Sequence, residues 1–165
     1  MYETEDDVRE LQALLDASHA AAGPHLRAIF DERRRIPAAE LPELLPGVQV
    51  LALATVTVRG EPRVAPVDGL FFRGRWHFGS SERSARFRHI RARPAVSATH
   101  LRGEELAIVV HGRAFEIDPR SAEQAEFRAY LNETYPGWDD ADWAAGAPYA
   151  RIEPSAMFTF RQRPA

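Results

Sequence analysis

From Val48 onward the chain is a succession of short, apolar, β-branched runs joined by turns of a few residues, and this constrains the fold more than any other feature. VQVLALATVTV is followed by the turn RGEP and then by RVAPVDGLFF, which reads as a hairpin. Gly74 in FRGRW marks a further tight turn before Arg75 to Phe78, and RGEE joins AVSATHL to LAIVVHGRAFEID. The tail returns to strand with PYARIEP and MFTF. Parallel strands need crossovers of a dozen or more residues, which most of these connections do not supply. The expectation is six or seven strands forming an antiparallel barrel with peripheral helices.

Helical spacing is confined to the flanks and to two insertions. Val8, Leu11, Leu14 and Leu15 recur at helical intervals behind an acidic first turn, Pro24 opens a second helix, and AAELPELLPG adds a short turn ending at Pro46-Gly47. The chain therefore reads as a single domain over residues 1–165, a helical extension (1–47) preceding a barrel core (48–165). PRSAEQAEFRAYLNETY is a helix with Pro119 near its start. The 135–147 loop that follows carries Trp138 and Trp143, which could lid a pocket or pack against the barrel, packing being the expectation.

Composition narrows the chemistry. There is no cysteine, so disulfides, thiolate catalysis and Cys-ligated metal centres are excluded. All 21 basic residues are arginine, which excludes a lysine base or Schiff base and, beside abundant Ala and Pro, suggests a bacterial source with a GC-rich genome. His77, His100 and His111 fall in or beside strands, but no HxH or HxxxH spacing makes a metal site of them. The formal charge of −3 offers no global attraction for nucleic acid or an anionic membrane. An acidic N-terminus and the lack of a long apolar run point to a cytoplasmic protein without a membrane span.

One stretch concentrates positive charge. FGSSERSARFRHIRARP, residues 78–94, holds five arginines around an expected helix over 82–93. They surround that helix instead of forming one stripe, so nucleic-acid binding is disfavoured and a surface helix anchored by Phe87 and Ile90 is the plain reading. Gly79, Ser80 and Ser81 come directly off a strand and lead into the helix N-terminus, where free N–H groups and nearby arginine make an anion site. GSSERS is not a G-x-S-x-G nucleophile motif.

The succession LALATVTVRGEPRVAPV, WHFGSSERSARFRHIRARPAVSAT and VVHGRAFEID resembles the pyridoxamine 5′-phosphate oxidase-like, FMN-binding split-barrel superfamily over residues 48–118, and YARIEPSAMFTF is similar to its closing strands. The resemblance implies a six-stranded antiparallel split β-barrel, mainly β with peripheral helices, that forms a homodimer with the cofactor at the interface. It implies FMN or the deazaflavin coenzyme F420 as cofactor, with hydride transfer to or from a small organic substrate. The alternatives it carries are a haem-binding member and a non-catalytic flavin carrier. By the family's pattern the phosphate would be held by Ser80, Ser81, Ser84 and Arg86, and the ring would lie along Arg63, Val64, Ala65 and Pro66. Ala85 stands where the family often has arginine, with Arg83 as the candidate substitute. No side chain is assigned as catalytic acid or base. The chain ends MFTFRQRPA, without the Arg-Leu-x-Pro motif of the true pyridoxamine-phosphate oxidases, so vitamin B6 phosphate is not the expected substrate.

Overall fold

A computed structural model describes residues 2–162; the last three residues of the tail RQRPA lie outside them. Helix α1 (Glu5–Ala21) starts at a reciprocal cap: the Thr4 hydroxyl accepts from the Asp7 N–H, and the Asp7 carboxylate accepts from the Thr4 N–H. Helix α2 (Pro24–Ile29) begins on its proline, and a 3₁₀ turn at Ala38–Glu40 runs into α3 (Leu41–Leu44). Then come β1 (Val48–Val56), β2 (Pro62–Phe72), β3 (Arg75–Gly79), α4 (Ala85–Ala92), β4 (Ala95–Arg102), β5 (Leu106–Ile117), α5 (Ala125–Thr134) and β6 (Tyr149–Arg161).

The strands close into an antiparallel barrel in the order β1-β2-β3-β6-β5-β4. The tail forms one strand where its two apolar segments suggest two. Pro154 is accommodated because the register with β5 shifts between His111 and Gly112. Gly112 is required there, since a Cβ would collide with the Glu153 carbonyl. Closure rests on two short seams, β3 with β6 over residues 77–79 and 149–151, and β1 with β4 over 52–54 and 97–99. Between the seams lie two three-stranded leaves with longer ladders.

Alternation along the strands sends Leu51, Leu53, Phe78, Val96, Ile108, Val110 and Ile152 into the barrel core. Leu11 and Leu15 of α1, with Ile36, Leu41 and Leu45, join the same cluster. Each buried side chain of this size contributes roughly 1.5–3 kcal/mol. Beyond β3, the edge of β6 has no strand partner among the described residues, and the N-terminal extension covers it. The Met157 N–H donates to the Ser18 hydroxyl, and the Arg161 N–H donates to the Arg34 carbonyl. The Thr159 hydroxyl accepts from the Ile36 N–H at 2.9 Å and donates to its carbonyl at 3.0 Å.

A second cluster, built on Phe72, Phe127, Leu131, Trp138 and Tyr149, fixes α5 and the following loop against the outside of the barrel. Among the described residues no helix is long and apolar enough to cross a membrane.

Candidate functional site

The site begins where β2 runs out of partners. Residues 69–72 of β2 pair with β3, but residues 62–68 have only β1 beside them. Residues 62–66 are exposed on both faces, as a strand at an open edge is. Val67 is buried in the core while Val64 is 68% exposed, so only the first of these valines is a barrel residue. The Pro66 carbonyl is turned away from β1 and accepts from Arg86 Nη2 at 2.9 Å. By the two-residue period of a strand, the main-chain groups of residues 62 and 64 point to the same open side. Pro62 and Pro66 have no N–H to leave unpaired there, so Val64 brings a donor and an acceptor together at that edge.

Arg86 links this edge to the end of β3. Its Nη1 donates to the Ser80 hydroxyl at 3.1 Å, so one side chain joins Ser80 to Pro66 although they lie on different strands. Partial burial works against the charged guanidinium and lowers its pKa, yet arginine keeps its proton in proteins. Helix α4 starts at residue 85, later than the expected 82, because Ser84 is its cap and accepts from the Phe87 N–H. Ser80 and Ser81 therefore precede the helix by a turn and do not lead straight into it; Ser81 instead offers its carbonyl to the Ser84 N–H. Phe87 and Ile90 are buried and anchor α4.

Two of the five guanidinium donors of Arg86 are engaged here, and the hydroxyl hydrogens of Ser80 and Ser84 are not used by the bonds just described. A corner with such a set of free donors is of the kind that could hold an anion such as a phosphate. Ala65 and Arg63 lie further along β2, where Arg63 pairs with Glu61 at 2.8 Å and points no charge toward Arg86 that the bonds reveal. The remaining arginines of the basic stretch act locally. Arg88 donates to the Arg83 carbonyl, Arg91 makes a bidentate pair with Glu116, and Arg93 donates to the Val58 carbonyl.

Beside the corner lies a groove of about 670 Å³, lined by Ser80, Ser81, Glu82 and Arg83 on one side and by the loop after α5 on the other. Trp138 is buried, its Nε1 donating to the Tyr149 hydroxyl. Trp143 departs from the expected packing: it is 61% exposed, lines the groove and meets Tyr135 edge-on. Asp68 also lines the groove and was not legible in the sequence, because a single aspartate in a strand has no spacing to mark it.

The strand histidines are not assembled into a site. His77 is buried and stacks on Phe127 at 4.4 Å; burial first, then the charges of Arg151 and Arg75, depress its pKa to about 3. His100 bonds the Val50 carbonyl inside the barrel, and His111 bonds the Ser97 hydroxyl on the outside. Among the described residues no three His, Asp or Glu side chains converge as metal ligands would.

Comparison with known proteins accords with this architecture. The family model described as pyridoxamine 5′-phosphate oxidase matches residues 38–160. No curated protein matches the sequence. The conserved hypothetical protein Rv2991 from Mycobacterium tuberculosis is similar in structure, with a TM-score of 0.64 at 18% identity, covering 81% of this chain and 89% of that one. A structure titled F420 reductase gives 0.54 at 23% identity, covering 70% and 94%. A FAD-binding protein from Mesorhizobium loti gives 0.58 at 22% identity, covering 79% and 98%.

Proposed function

The chain belongs to the pyridoxamine 5′-phosphate oxidase family, and from that premise we propose that it is an oxidoreductase binding FMN or the deazaflavin F420, acting on a small organic molecule. The observation that carries this reading is Arg86, whose guanidinium spans the Ser80 hydroxyl and the Pro66 carbonyl. A phosphate held at Ser80, Ser84 and Arg86 would place the rest of a cofactor beside the open edge of β2. The N–H and carbonyl of Val64 would there meet the donor and acceptor of a pyrimidine ring edge. When bound, such a cofactor supplies the hydride chemistry, and the chain's residues bind and orient it. Fold neighbours titled F420 reductase and FAD-binding protein support the cofactor class, not the choice within it.

A second copy of the chain is part of the proposal. The outer face of β1 and its neighbours exposes Val48, Val50, Val64 and Leu101, an apolar surface that reaches the open edge of β2 and is bordered on the groove side by Asp68, which stands opposite Val50. A homodimer joined there would bury this surface and wall the cofactor on its exposed side.

The test is a visible spectrum of protein purified from a host that makes both cofactors. Absorption near ~450 nm identifies a flavin and near ~420 nm a deazaflavin. A protein that is colourless and titrates with neither cofactor overturns the proposal. Arg86→Ala should remove charge-assisted bonds of roughly 1.5–3 kcal/mol and weaken cofactor affinity more than tenfold while the fold persists.

A further inference from the structure

Across the groove from Ser80 and Ser81 lies a wall to which the cofactor reading assigns no residue. Asp68 stands on its rim, exposed, and its carboxylate has no hydrogen bond or ion pair among the described residues. It lies close enough to Tyr135 and Tyr149 to bear on both hydroxyls. Burial chiefly, and then the Asp68 charge, holds Tyr135 up at about 12, and the same two causes act in that order on Tyr149, where the Trp138 bond opposes them. Trp143 packs edge-on to Tyr135, ring centres 5.7 Å apart at 74°, and presents the rest of its indole to the groove. Tyr149 lies against Gly79, where a Cβ would stand 2.9 Å from its ring, so only glycine admits the ring at this point.

Two aromatic side chains, Trp143 and Tyr135, lining one groove with an unpartnered carboxylate are the elements of an organic-cation site. The ring faces attract a positive charge, and the carboxylate neutralises it as water leaves. A neutral ligand would desolvate Asp68 without repayment, and an anion would be repelled by it. Arg83, also in the lining, stands with Glu82 on the Ser80–Ser81 side of the groove.

We propose that this end of the groove binds an organic cation, a protonated or quaternary amine on a small apolar body, with Asp68 as counter-ion and Trp143 and Tyr135 as aromatic walls. That this cation belongs to the substrate rests on the oxidoreductase reading above; the site itself does not.

Calorimetric titration of the whole protein with benzyltrimethylammonium and with its uncharged isostere neopentylbenzene tests the site, with FMN and F420 titrated in parallel. The cation should bind at least about tenfold more tightly than the isostere. Asp68→Asn should weaken the cation about tenfold, Trp143→Ala several-fold, and Trp143→Phe should restore most of the loss. Both positions are exposed, so unchanged circular dichroism is expected of the variants. Equal affinity for cation and isostere, or an Asp68→Asn variant that binds like wild type, overturns the site. If that happens while a cofactor still binds, the cation site alone fails. If the cation binds as described and neither cofactor does, the cofactor reading alone fails.

Discussion

At the scale of single residues, His77 shows how burial becomes a pH dependence. Its ring is enclosed by Phe72 and Phe127, with Nδ1 on the Arg75 carbonyl, so the folded protein keeps it neutral down to about pH 3. The unfolded chain takes up that proton near pH 6.5. Stability from this group is therefore fully present above pH 6.5 and is lost as pH falls toward 3, the unfolded state binding the extra proton throughout. Between pH 7 and pH 5 the loss should be about 2 kcal/mol by denaturant titration, and His77→Phe should flatten that interval. Asp7, held below its ordinary range by bonds from Thr4 and Arg73 against the cost of its burial, acts in the same direction but at lower pH. His77 was visible in the sequence as a strand histidine, but nothing there placed an α5 phenylalanine over it.

At the scale of elements, the extension and β6 depend on each other. Thr159 does for Ile36 what a neighbouring strand would, pairing both of its backbone groups. Thr159→Val would keep the shape and leave a buried donor and acceptor unpaired, at a cost of about 2–4 kcal/mol measurable by chemical denaturation. The strands themselves were legible because glycine or proline punctuates nearly every turn, as at Gly60, Gly74 and Gly103, all with positive φ. The errors came where local signals compete. Helix α4 begins three residues later than expected because Ser84 caps it, and the tail looked like two strands because Ser155, beside Pro154, bulges out of β6 itself. Ser80 and Arg86, both expected as site residues, meet in the fold, while Ser84 caps α4. The junction of Arg86 with Pro66 was not anticipated, since it depends on how β2 and β3 diverge. Asp68 was missed, and Trp143 was named but expected to pack, because only the folded loop brings the two to one groove.

At the scale of the whole molecule, the apolar outer face is the feature to explain. Val50 is 61% exposed and Leu101 58%, and extending the β1–β4 register sets them opposite each other on one surface. If a second copy covers this surface, light scattering at micromolar concentration should give twice the 18.5 kDa chain mass. Val50→Asp should shift it to the monomer with the barrel intact, and should weaken cofactor binding at the same time if the two proposals are linked. A wild-type monomer would leave that face without the proposed partner.

The two prolines of β2 have a consequence for how the molecule behaves in a crowded solution. A long strand edge, open and apolar on both faces, ordinarily invites another chain to add to the sheet and begin an aggregate. With Pro62 and Pro66 on the open side, an incoming strand would find carbonyls without the alternating N–H groups it needs, and the Arg86 side chain already holds one of those carbonyls. The protein can thus keep a vacant edge soluble while leaving Val64 free to be recognised by something short enough to use a single donor and acceptor.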